Sequence, residues 1–339
     1  MEERKVRVAI THGDTNGIGY ELIFKTFASP EILDLCTPII YGSPKIAAYH
    51  RKALGIESAF SIISSAEEAR DGRVNLLTCF EEEVKVELGN KTQEGEQAGA
   101  KALKRALEDQ KTGAYDVLVM APLEKNSVVE QLGLLVMMNE DLRVAFATNA
   151  IDLKEVAQKV TKERVVSKAT ALFDMLRRDL RISNPRVAVL ALNPNADGTE
   201  EAEAIVPALQ ELEASGRQAF GPYPAAKFFG EGMYAAFDAV LAMYHDQGAV
   251  PLTTLAADDN IIYVAGLSMP CTAASDDVDY EHAGKGITDE NAFRQAIYYA
   301  IDAFRNRINY DEPLVNPLPK LYHEKREHGE KVRFAIPKK

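Results

Sequence analysis

Short apolar runs, each closed by a polar or glycine-containing turn, constrain the fold of this chain more than any other feature. Residues 6–10 (VRVAI), 38–41 (PIIY), 116–121 (DVLVMA), 186–192 (RVAVLAL), 239–243 (AVLAM) and 261–265 (IIYVA) are four to seven residues long and rich in Val, Ile and Leu. Continuous apolar runs of that length read as strands buried on both faces. Helical periodicity fills the intervals. One helix starts near Tyr20 with Leu22, Ile23 and Phe27 on its apolar face. Another covers residues 94–110, with Ala98, Leu103 and Leu107 inward. Thr161 caps a third through about residue 180, and residues 289–307 form a fourth with Phe293, Ile297, Ala300 and Phe304 inward. Further strands are expected at 60–63 and 74–78, and a hairpin at 134–138 and 142–148 around Asn139-Glu140-Asp141. Alternating strand and helix at this spacing predicts an α/β fold with a mostly parallel sheet.

At 339 residues the chain exceeds the usual single-domain length, so two domains are expected. The formal net charge of -12 argues against nucleic acid and against anionic membrane surfaces as partners. The three cysteines, Cys36, Cys79 and Cys271, are scattered and odd in number, which fits a reducing compartment better than a disulfide framework. The first ten residues, MEERKVRVAI, lack the apolar core of a signal peptide, and no apolar run is long enough to span a bilayer. A cytoplasmic location is therefore expected.

Two stretches carry candidate chemistry. Residues 241–251, LAMYHDQGAVP, take a buried strand into a polar cluster of Tyr244, His245, Asp246 and Gln247, closed by Gly248. Ligands in open α/β sheets sit beyond the carboxyl ends of strands. His245 can then act as a metal ligand or general acid/base, with Asp246 orienting it; the plain alternative is a hydrogen-bonded polar cap. Residues 11–19, THGDTNGIG, lie between a strand and a helix. They are either an anion site at a helix N-terminus or a tight turn that needs Gly13, Gly17 and Gly19 for backbone freedom.

Ordered blocks then resemble one family. They are AITHGDTNGIGYE, YGSP at 41–44, VLVMAP at 117–122, LRVAFAT at 142–148, VAVLALNP at 187–194, GPYPA at 221–225, LAMYHDQG at 241–248 and AGKG at 283–286. Together they resemble the PdxA family, 4-hydroxythreonine-4-phosphate dehydrogenases of pyridoxal phosphate biosynthesis. YGSPKIAAYHRKALG and FRQAIYYAIDAFRNR are similar to Bacteroidetes forms. The resemblance implies a fold like isocitrate and isopropylmalate dehydrogenases, with two α/β domains flanking a cleft. Residues 1–125 with 275–339 would form one domain, with a C-terminal helix and arm, and 126–274 the other. It implies a homodimer whose active sites use both subunits. It also implies NAD as oxidant and a divalent metal on three histidines that polarises the substrate hydroxyl.

Carried over residue by residue, that machinery is largely replaced. The first histidine position is Ala150, the second is Asn195 at the end of LNPN, and the third is retained as His245. The family's lysine, asparagine and arginine substrate positions are Thr253, Ile262 and Cys271. The segment carrying a His-Thr pair is missing after Gln131, the glycine-rich loop after LNPN shrinks to Ala196-Asp197-Gly198, and a PDHGT stretch becomes Ser275 through Asp279. A methyl group cannot bind metal and an amide oxygen is a poor zinc ligand, so loss of the parent reaction is expected. Two alternatives stay open. His245, Asp246, Asp276, Asp277 and Asp279 can build a new magnesium or manganese site for a changed substrate, or weak parent activity persists. A non-catalytic subunit pairing with an active PdxA is a further expectation. For NAD, Gly13-Asp14 and Gly284-Lys285-Gly286 are the remaining candidates, and either can be turn chemistry alone.

Overall fold

The computed structural model describes residues 4–57, 59–123, 132–256, 260–275 and 278–316. Residues 124–131, which the sequence reads as a short helix, lie outside the described residues, as do Asp276, Asp277 and the residues from 317. The strands are β1 (Val6–Thr11), β2 (Cys36–Gly42), β3 (Ser61–Ile63), β4 (Asn75–Thr78), β5 (Val117–Met120), β6 (Leu134–Met138), β7 (Arg143–Phe146), β8 (Arg186–Leu190), β9 (Gln218–Tyr223), β10 (Ala239–Ala242), β11 (Ile261–Ala265) and β12 (Cys271–Ala274). They form one twelve-stranded sheet in the order β3-β4-β2-β1-β5-β12-β11-β6-β7-β10-β8-β9. The helices are α1 (Gly19–Thr26), α2 (Ile32–Leu35), α3 (Pro44–Leu54), α4 (Gln93–Gln110), α5 (Leu153–Lys159), α6 (Lys162–Arg178), α7 (Val206–Ala214), α8 (Ala225–Gly230), α9 (His245–Leu255) and α10 (Asn291–Val315). No helix among the described residues is long and apolar enough to cross a membrane.

The α/β class and mostly parallel sheet expected from the apolar runs are what the chain adopts. The expected hairpin is also present, as antiparallel β6 and β7. β11 pairs antiparallel with both β6 and β12, while β12 is parallel to β5 and β10 is parallel to β7. The two parallel halves, β3 to β12 and β7 to β9, therefore run in opposite senses.

Strand alternation divides the core. Val6, Val8 and Ile10 of β1 face one side, in a single apolar cluster with Ile23 and Phe24 of α1, Leu172 and Phe173 of α6 and Ile297 and Ala300 of α10. That cluster runs unbroken beneath both halves. Ala9 faces the other side, where the core is split. One part packs under Ala102 and Leu103 of α4. The other packs Val144, Phe146, Val240 and Ala242 against Phe228 of α8 and Leu252 of α9. Both parts exclude water by ordinary apolar burial; the gap between them is where the candidate site lies.

Several expectations need correction. The polar cluster after β10 is the first turn of α9, which continues past Gly248 and tolerates Pro251 inside it. The sequence reads residues 199–215 as one regular helix, but it begins with a π-turn at Glu201–Ile205 before α7. The stretch from Asn309, rich in Pro and charge, reads in sequence as a surface arm, but it is still helical through Val315, and Asp311 there pairs with Arg178. Thr161, by contrast, caps α6 as expected, accepting from the Arg164 N–H at 3.3 Å.

Candidate functional site

Register builds the floor of the pocket. Ile262 on β11 lies opposite Ala273 on β12 and Met137 on β6, and Ala273 lies beside Met120 on β5. Directly paired residues share a face of the sheet, so Met120, Ala273, Ile262 and Met137 form one row across four adjacent strands. Leu135, two residues before Met137, shares that face. All five line a cavity of about 70 Å³ together with Phe146, Asn149, Ala150 and His245. The row lies where the two cores meet: Met120 and Ala273 belong to the core under α4, with Ile262 and Leu135 packed against it, and Met137 packs against the core under α9.

His245 reaches the cavity from the first turn of α9. Gln247 fixes that turn: its Oε1 accepts from the Met243 N–H at 2.7 Å, and its Nε2 donates to the Ala191 carbonyl at 2.6 Å. The helix start is thus tied to the ends of β10 and β8. The His245 ring stacks on Phe146, with centroids 5.3 Å apart and planes 28° apart. Nδ1 lies 2.9 Å from Asp246 Oδ1. The carboxylate is an acceptor only, so Nδ1 is the donor in that contact.

The structure brings some sequence-derived positions together and separates others. Ala150 and Ile262 share the cavity with His245. Cys271 does not; it is fully buried on β12, and burial pushes its thiol up to about 12. Thr253 is exposed on α9, and Asn195 is exposed in the turn before Ala196, whose φ is 57°. That turn is held from inside by the buried carboxylate of Glu201, which accepts from the backbone N–H groups of Asn193 and Gly198 at 2.8 and 3.0 Å. Asp279 accepts from the His282 ring at 2.8 Å and does not line the cavity.

A three-histidine metal centre does not fit this donor set. Ala150 offers a methyl group, Asn195 lies outside the cavity, and one imidazole remains. No group of three or more His, Cys, Asp or Glu side chains able to hold a metal ion occurs among the described residues. One imidazole supplies a single donor where tetrahedral sites take three protein ligands plus water.

The glycine segments are braced by protein contacts. Residues 11–19 are all buried. Gly13 has φ +72°, and a Cβ there would sit 2.2 Å from the Pro122 carbonyl oxygen. Asp14 Oδ1 accepts from the Asn16 N–H at 2.7 Å and Oδ2 from the Tyr280 hydroxyl at 3.0 Å. A buried carboxylate in the loop opposes an anion there. Gly286 and Thr288 donate their N–H groups to Glu21 at 3.3 and 3.0 Å, and Lys25 Nζ donates to the Gly286 carbonyl at 2.9 Å, strapping residues 286–288 to α1. Gly13→Ala is expected to cost roughly 2–4 kcal/mol, because it combines a left-handed backbone with a backbone clash. Urea unfolding checks this; an unchanged midpoint would refute the turn role.

Sequence reasoning missed Met120, Met137 and Phe146 as cavity walls and Gln247 as the lock on α9. Only strand neighbours reveal the first three. The adjacency of Gln247 to His245 was the one available signal for the last.

Comparison with known proteins agrees with the fold. The family model described as pyridoxal phosphate biosynthetic protein PdxA matches residues 34–133 and 128–300. A 4-hydroxythreonine-4-phosphate dehydrogenase of Bacteroides thetaiotaomicron is 45% identical over 358 aligned positions, covering 98% of this chain and 98% of the relative. The alignment is longer than the 339-residue chain, so the relative carries residues that this chain lacks. The family match comes in two pieces that overlap at residues 128–133. Another relative of the same name, from Sulfurihydrogenibium, is 29% identical and covers 87% of this chain and 98% of its own length. The crystal structure of a 4-hydroxythreonine-4-phosphate dehydrogenase from Burkholderia phymatum superposes with a TM-score of 0.70 at 26% identity, covering 89% of this chain and 99% of that one.

Proposed function

The chain belongs to the PdxA family of pyridoxal phosphate biosynthetic proteins, and from that premise we propose that it does not itself catalyse the NAD-linked, metal-assisted oxidation of 4-hydroxythreonine 4-phosphate. One observation carries the reading: the cavity holds a single imidazole over an apolar floor, and no Lys or Arg lines it among the described residues. A phosphorylated, zwitterionic substrate needs cationic partners. The positions that supply them by resemblance are Thr253, exposed on α9, and Cys271, buried on β12 in the core under α4.

The magnitudes point the same way. Each missing charged hydrogen bond removes roughly 1.5–3 kcal/mol, and a missing Lewis acid removes several more at the transition state. A total of roughly 8 kcal/mol is about six orders of magnitude in rate. The cavity, about 70 Å³, is also well below the roughly 300–1,000 Å³ typical of ligand sites. For NAD, both candidate glycine segments are committed to internal hydrogen bonds and line no part of the cavity.

The test is NADH formation from 4-hydroxythreonine 4-phosphate with zinc, magnesium or manganese, run beside the Bacteroides thetaiotaomicron relative. We expect no NADH above the blank. Turnover within about a hundredfold of the relative, a loss of only ~2.7 kcal/mol, that disappears in His245→Ala would end the proposal.

A further inference from the structure

We infer that the cavity over β5, β12, β11 and β6 binds a small uncharged molecule with an apolar body and one O–H or N–H group, donated to Nε2 of His245. The inference rests on the reading above that the phosphorylated substrate is not the ligand of this site.

Three observations carry it. The floor is a row of Met120, Ala273, Ile262 and Met137 fixed by strand register, and such a floor pairs with no charge. His245 has its Nδ1 committed to Asp246 at 2.9 Å and its ring laid against Phe146. In the neutral ring a proton on Nδ1 makes Nε2 an acceptor, so the ligand must bring the proton. Nε2 has no hydrogen-bond partner among the described residues. Third, a space of about 70 Å³ suits a body of a few heavy atoms rather than a nucleotide or sugar. Two flexible methionines on the floor let it adapt to a flat or a branched body.

Pyrrole and furan make a matched pair of probes. They share size and shape, but only pyrrole carries an N–H donor. The readout is methyl-¹³C methionine NMR of the full chain. Met120 and Met137 line the cavity, whereas Met138, next along β6, packs in the core on the opposite face and serves as an internal control.

Pyrrole should shift the Met120 and Met137 methyl signals and leave Met138 still. It should bind about fivefold tighter than furan, the factor given by one net hydrogen bond. His245→Phe keeps a ring on Phe146 and should make the two probes bind alike. Ala150→Leu fills the mouth and should abolish both shifts, with unchanged Met138 and Met243 signals reporting an intact fold.

Four results overturn the inference. They are unmoved Met120 and Met137 signals, equal affinity for the probes in the wild type, persistent binding in Ala150→Leu, or the same shifts produced by inorganic phosphate. The NADH assay separates the two levels. NADH formation removes the reading of lost activity, whereas unmoved methionines without NADH remove only the ligand.

Discussion

Between pH 6.5 and about 4.5 the protein is expected to lose roughly 5 kcal/mol of folding stability through two histidines alone. His12 is fully buried, its ring stacked on Tyr20 with centroids 5.1 Å apart, and neither ring nitrogen has a well-formed hydrogen bond among the described residues. Burial, with His50 nearby, pushes it down from 6.5 to about 3. His50 packs at a tilt against Tyr20, with centroids 4.9 Å apart, and its Nε2 donates to the Thr15 carbonyl at 2.7 Å. Burial pushes it down to about 4. Both folded values lie below the unfolded value of 6.5, so the unfolded chain takes up protons first. The stability is therefore fully present above 6.5 and is lost as pH falls toward 4 for His50 and 3 for His12. Each histidine removes about 1.4 kcal/mol per pH unit in that window. Denaturant unfolding of the wild type and His12→Leu at a series of pH values checks this. The wild type should lose stability relative to His12→Leu as pH falls, and parallel acid limbs would show that His12 does not titrate as described.

Breaking the buried ion pair of Asp179 and Arg307 is expected to cost roughly 3–5 kcal/mol, because it strands one charge without its partner. Arg307 on α10 donates from Nε to Asp179 Oδ1 at 2.6 Å and from a terminal nitrogen to Oδ2 at 2.8 Å. The Tyr263 hydroxyl of β11 donates to the same carboxylate at 2.7 Å, and Arg307 also reaches the Leu267 carbonyl at 3.0 Å. Both charged side chains are almost entirely buried, at 6% and 3% exposure. Asp179 follows α6, so one carboxylate ties α6, β11 and α10 together. Arg307→Met and Asp179→Asn should each lower the urea midpoint sharply. The double variant Asp179→Leu with Arg307→Met should recover most of the loss, since removing both charges leaves none stranded. Additive losses would mean that the side chains act separately.

The hydrophobic period revealed the elements whose burial is local in origin. β1, β2, β5, β8, β10 and β11 all emerge from short apolar runs, and the β6–β7 hairpin from its turn. β12, sequence CTAA, escaped because its small side chains show neither alternation nor β-branched density; its burial comes from neighbours on both sides. β9 escaped because Gly221 and Pro222 read as a turn, yet an edge strand tolerates both. The site was half legible. His245, Ala150 and Ile262 could be named from motif position, but the row they join depends on which strands are neighbours, and no single run of sequence encodes that. The low pKa values of His12 and His50 arise likewise from rings brought together across the fold.

The place of β12 also bears on synthesis. Cys271–Ala274 supplies the strand beside β5, although β5 itself, Val117–Met120, is made about 150 residues earlier. As the polypeptide leaves the ribosome, β5 offers a bare edge with unmet N–H and C=O groups until the far end arrives, and such edges recruit foreign strands. Nascent chains stopped before residue 271 should therefore depend on chaperones in a way that the finished protein does not.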